Sequence, residues 1–116
     1  MTIETVDRPP SIRVSVEPGV CGLTCVIEGD RIDKYRAGIQ GQGSACPQIL
    51  KLFERVREIG LKDLFAPPSR NPVFRAAEES GCHPMCPVPV AVLKTAEAVL
   101  GLALPRDVAV IFEPSE

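Results

Sequence analysis

The chain has 116 residues, a formal net charge of -2 and 24% charged residues, enough for one core that removes roughly two-thirds of the unfolded surface from water, with no concentrated basic field for nucleic acid or anionic lipid. Hydrophobic residues make up 45%, aromatics only 4%, and there is no Trp, so the core must be built from Val, Ile, Leu and Ala. Glu4 and Asp7 stand where a secretory leader needs basic residues before an apolar run, and no segment approaches ~18 uninterrupted apolar residues; the expectation is a soluble cytoplasmic protein with neither a membrane nor a nucleic-acid partner.

Residues 1–10 read as a flexible polar tail ending in Pro-Pro, and 11–116 as a single domain. Ile12, Val14 and Val16 alternate with Arg13, Ser15 and Glu17, the period of a strand with one buried face. Pro18 to Gly22 supplies a turn. Leu23, Cys25 and Ile27 then alternate into a second strand, which Gly29-Asp30-Arg31 closes, and Tyr35, Ala37 and Ile39 mark a third strand over about 31–40. Helix one starts at Pro47, carries Ile49, Leu52, Phe53, Val56 and Ile59 on one stripe, and stops at Gly60. Residues 61–70, with Pro67-Pro68, form a loop or a single turn at most. Helix two is capped by Asn71, begins at Pro72 and ends at Gly81. Helix three runs from Pro87 to about Leu100 and is apolar on most sides, which marks it as the most buried. Asp107 to Glu113 reads as a strand apolar on both faces and therefore interior to the sheet. The order β-β-β-α-α-α-β gives an α+β, two-layer sandwich: a four-stranded, mostly antiparallel sheet with three helices on one face. An unpaired outer strand of such a sheet permits a homodimer by edge pairing.

The chemistry lies in the five cysteines. In a reducing compartment an odd count reads as free thiols, metal ligands or redox groups rather than a disulfide framework. Cys46-Pro47 and Cys86-Pro87 each place a cysteine where the N-cap of a helix is expected, because proline is favoured at the first helical position. A thiol there sits among unpaired N–H groups at the positive end of the helix dipole, which favours the thiolate. Cys21 falls in the first turn, and the third strand returns the chain to that same edge of the sheet before Cys46. With helix three parallel to helix one, Cys86 joins them.

Cys21-x-x-x-Cys25, Cys46 and Cys82-His83-x-x-Cys86 thus offer five sulfurs and one imidazole. Their three-residue spacings differ from the paired two-residue knuckles of structural zinc sites, but thiolates from separate loops can close a zinc or iron–sulfur centre. The expected set is Cys21, Cys46 and Cys86, with Cys82, His83, Cys25 or an external ligand as fourth. Each also has a plain reading: Cys25 as a small core residue beside Ile27, Cys82 as an exposed loop residue, His83 as a solvated imidazole.

The segment Cys86-Pro87-Val88-Pro89 through Leu93-Lys94 resembles the Cys-Pro-x-Pro signature of the TusA/SirA sulfur-carrier family. That resemblance, confined to residues 86–94, implies a persulfide-bearing thiol at Cys86, a helix stiffened by Pro87 and Pro89, and a sulfur donor or acceptor protein as partner. An enzyme with nucleophilic Cys86 and His83 as base is a further reading, but it needs a group to orient the base and none is evident. Glu78 and Glu79 are adjacent on a helix and point apart. The residues therefore favour a binding or carrier protein over a stand-alone enzyme: first a metal or iron–sulfur protein, then a persulfide carrier acting through Cys86, then a structural interaction domain.

Overall fold

The computed structural model describes residues 11–115, so the tail expected at 1–10 lies outside the described residues. Ile12, Val14 and Val16 turn to one side of β1 (Ser11–Val16), where they stand opposite Gly29, Ile27 and Cys25 of β2 (Cys25–Asp33) in an antiparallel pair. β3 (Arg36–Gln42) pairs antiparallel with β2, and β4 (Glu58–Gly60) with β3, giving the sheet order β1-β2-β3-β4. Val16, Cys25, Ile27, Ala37, Ile39 and Ile59 are buried on the face that meets the helices. The α+β class and the four-stranded antiparallel sheet expected from the sequence are both present.

Two glycines lie inside strands for the same reason. The sequence places a turn at Gly29-Asp30-Arg31, but β2 runs through to Asp33 and the chain reverses at Lys34-Tyr35, where Asp33 Oδ1 accepts the Tyr35 N–H at 2.9 Å. Gly29 is a close-approach glycine: a Cβ there would meet Thr95 Cγ2 at 2.7 Å and Val99 Cγ2 at 3.0 Å. Gly41 plays the same part in β3, where a Cβ would collide with the Phe53 ring.

Helix α1 (Pro47–Arg55) buries Ile49 and Leu52 and ends earlier than its apolar stripe predicts. Val56 takes an extended conformation, and Arg57 accepts the Ile39 N–H at 2.8 Å, so Ile59 reaches the core from β4 instead of from the helix. The sheet captures these β-branched residues because pairing and burial outweigh weak helix preference. A single turn, α2 (Leu61–Leu64), and a 3₁₀ turn at Pro68–Arg70 follow.

Helix α3 (Pro72–Glu79) has the predicted cap, with Asn71 Oδ1 accepting the Val73 N–H at 2.9 Å while its Nδ2 donates to Asp63 O at 2.9 Å. It ends in a Schellman motif: Gly81 (φ 79°) donates to Glu78 O at 3.1 Å and Cys82 to Ala77 O at 2.9 Å. Helix α4 (Val88–Val99) buries Val88, Pro89, Val92, Thr95, Ala96 and Val99, and packs across β1 and β2. No helix among the described residues is long and apolar enough to cross a membrane.

The segment after α4 departs from expectation. Asp107 to Glu113 joins no strand, and Val108, Val110, Ile111 and Phe112 are all exposed; the fourth strand of the sheet is Glu58–Gly60 instead. Both faces of that segment are apolar, and nothing among the described residues covers either of them.

Candidate functional site

Cys46 is the N-cap of α1, as its Cys-Pro sequence predicts. Its backbone is extended (φ -84°, ψ 119°), and its carbonyl accepts the first helical N–H from Leu50 at 3.0 Å. The thiol makes no cap hydrogen bond; it donates to Gln48 Oε1 at 3.2 Å, while the Cys46 N–H donates to Ser44 Oγ at 3.1 Å.

Cys86 differs from expectation by one position. Pro87, not Cys86, is the N-cap of α4, and its carbonyl accepts the Ala91 N–H at 3.0 Å. A tight turn, closed by Cys86 N–H to His83 O at 3.0 Å, sets the chain back by a residue. The thiol still feels the helix end, because the Val88 N–H favours its thiolate.

Cys82 follows the glycine that ends α3, and its half-buried thiol points to Gln48 O at 3.9 Å. One residue of α1, Gln48, thereby serves two cysteines, receiving Cys46 on its side chain and Cys82 on its backbone. Sequence reading overlooked Gln48; the only available signal was its place in the first helical turn, two residues after the cap cysteine. Cys25 opens β2 and is 3% exposed, the core position its alternation with Ile27 implies. Cys21 is exposed in the turn closed by Gly22 N–H to Gly19 O at 2.9 Å, with both glycines at positive φ. His83 is exposed too, and the turn uses its carbonyl rather than its imidazole.

Electrostatics tie the thiols together. Burial pushes the Cys25 thiol above its ordinary pKa, and Cys86 and Cys46 push it further. Cys82 is raised by burial, then by the same two neighbours. Cys86 is raised by burial; the Val88 N–H pulls it down, and Cys46 and Cys21 push it up again, so the net direction is upward. The helix-end argument alone favours the thiolate at Cys86, but desolvation and neighbouring sulfurs outweigh one N–H. Cys46 and Cys86 are the hub, since Cys25 and Cys82 each feel both of them and Cys21 is felt by Cys86.

All five cysteines are free. The described residues hold no group of three or more His, Cys, Asp or Glu side chains placed ready to grip a metal ion. Soft sulfur donors gathered from four segments can bind a soft metal, carry sulfur, or exchange thiols.

A family model described as Family of unknown function (DUF6951) matches residues 12–112. No curated protein and no solved structure matches the chain.

Proposed function

The chain belongs to DUF6951, a family of unknown function, and we propose that it holds a zinc ion or an iron–sulfur cluster on thiolates of Cys46 and Cys86, with Cys21 and Cys82 completing the set. The observation that carries this reading is that five free thiols act on one another across four segments, with Cys46 at the start of α1 and Cys86 just before α4 at the centre of that influence. Left alone, such thiols resist ionising together, because each thiolate repels the next. A soft cation reverses that preference: it displaces the protons and cancels the repulsion in one step. Sulfur donors select zinc and iron–sulfur centres over magnesium or calcium.

Cys46 and Cys86 are anchored at helix ends, whereas Cys21 and Cys82 lie in glycine-flanked loops. Closure on the metal therefore falls to the loops. Cys25, at 3% exposure, forms the floor, and His83 stays at the rim as an alternative donor. A cytoplasmic setting, which keeps thiols reduced, suits five free cysteines.

One observation favours a second reading. The Val88 N–H at the start of α4 favours the thiolate of Cys86, in the segment that resembles the TusA/SirA signature, and that is a fitting place for a persulfide. Under either reading the partner is a protein that donates or accepts metal or sulfur. Val20 and Met85, 108% and 90% exposed, are the chain neighbours of Cys21 and Cys86 and give such a protein an apolar rim.

Purification without oxygen separates these readings. The metal reading expects close to one centre per chain, seen in metal and acid-labile sulfide content and in thiolate charge-transfer absorption, and lost in both Cys46→Ser and Cys86→Ser. Metal-free protein whose intact mass shows a reductant-labile added sulfur, lost only in Cys86→Ser, would replace it with the carrier reading. Neither signal, together with a folded Cys46→Ser, Cys86→Ser double variant, leaves an interaction domain.

A further inference from the structure

The segment after α4 exposes apolar side chains along an extended stretch of chain. Leu104, Val108, Val110, Ile111 and Phe112 are 72%, 63%, 86%, 73% and 93% exposed, within the span matched by the family model. Scattered apolar residues on a surface are ordinary, but five in nine positions along one extended stretch are not. Their pattern is that of a central strand, with Val108, Val110 and Phe112 on one side and Ala109 and Ile111 on the other.

The sheet has a matching gap. β1 is its outer strand and, among the described residues, pairs only with β2. Six residues long, β1 is a better template than the other edge, the three-residue β4. Its helix-facing residues Ile12 and Val14 are only partly buried, although they pack against the core. A further strand beside β1 would satisfy its free backbone groups and cover both side chains.

We infer that this chain forms a two-fold dimer by strand exchange, residues 108–112 of each copy adding to the β1 edge of the other. The choice of a second copy over the same chain follows from where the segment lies: it joins no strand of its own sheet, although β1 is the open outer strand there, and exchange with a second copy supplies that same open edge to it. It is also self-complementary, since each copy gives one strand and accepts one, so the assembly closes at two and leaves neither β1 edge free for further addition. A stable interface takes roughly 800 Å² per partner, and exchange of both segments, with the exposed Leu102 and Leu104, brings two copies of this apolar stretch to it.

The mass of the full chain in solution, read by sedimentation, is the test. The expected value is about twice 12.5 kDa, falling to one chain in Val110→Pro, which lacks the N–H needed for pairing. Mixed samples, half labelled with ¹⁵N and half with ¹³C, should show intermolecular contacts between residues 108–112 and 12–16. Val110 lies outside the folded body, so Val110→Pro should keep its circular dichroism; should it not fold, the isotope-mixing result on the unaltered chain decides. A one-chain mass at every concentration overturns the inference, including a monomer whose 108–112 amides are protected by its own β1. So does a dimer that survives Val110→Pro without those intermolecular contacts.

Discussion

At the scale of single residues, space and unpaired polarity set the consequences. Gly29→Ala forces a Cβ to within 2.7 Å of Thr95 Cγ2, and α4 must shift to admit it. Overpacking of this kind costs about 1–3 kcal/mol, which urea denaturation should register with little change in slope. Ser80 is the reverse case: it is 4% exposed and its hydroxyl has no hydrogen-bond partner among the described residues. Because an unmet buried hydroxyl carries a desolvation cost, Ser80→Ala should leave the melting temperature unchanged or raise it. A fall of several degrees would mean that the hydroxyl has a partner after all.

The thiols add a pH dependence whose sign is fixed by their direction of shift. Cys25, Cys82 and Cys86 are held above the ordinary thiol value, chiefly by burial, and unfolding returns them to it. The folded state then keeps protons that the unfolded chain has lost. Metal-free protein should be insensitive to these groups below pH of about 8.5 and lose stability as the pH rises from there through the raised values. Urea midpoints at neutral and alkaline pH check this, and Cys25→Ala should flatten the decline.

At the scale of elements, Asn71 joins two of them. It caps α3, and its amide also donates to the carbonyl of Asp63 in α2, all at 2% exposure. Asn71→Ala removes both the cap and the amide's bond to Asp63 O, so the loss should exceed the ~1 kcal/mol of an ordinary cap. Thermal unfolding would reveal it. This cap was legible in the sequence because its signal is local, Asn followed by Pro with a stop glycine downstream. The first strand and the starts of α1 and α3 were legible for the same reason.

What misled were residues whose role is set by distant neighbours. Gly29 reads as a turn until α4 is seen lying across it. Val56 and Ile59 read as helix until β3 offers them a place beside it. Cys86 reads as a cap, and only the turn closed on His83 moves it back by one. The site followed the same division. Capping logic placed Cys46 at the start of α1, and the turn signal placed Cys21 before β2, but Gln48 emerges only once α1 and the end of α3 are packed together.

At the scale of the whole molecule, the sandwich acts as a frame that brings two helix starts and two loops to one end. Under the metal reading, the thiols at the starts of α1 and α4 should change little on binding, whereas the turn at 17–24 and the loop at 81–85 should tighten. Limited proteolysis is expected to cut these two loops faster in metal-free than in metal-loaded protein, with the β2–β3 hairpin equally resistant in both. Binding that favours the folded state also raises its stability.

The most direct probe is X-ray absorption at the metal edge of protein loaded without oxygen with zinc or iron. The account predicts a first shell of about four sulfur atoms near 2.3 Å, with sulfur replaced by a lighter donor in Cys46→Ser and in Cys86→Ser. A shell of oxygen and nitrogen alone, or one indifferent to both substitutions, would contradict the convergence of these thiols on a single centre.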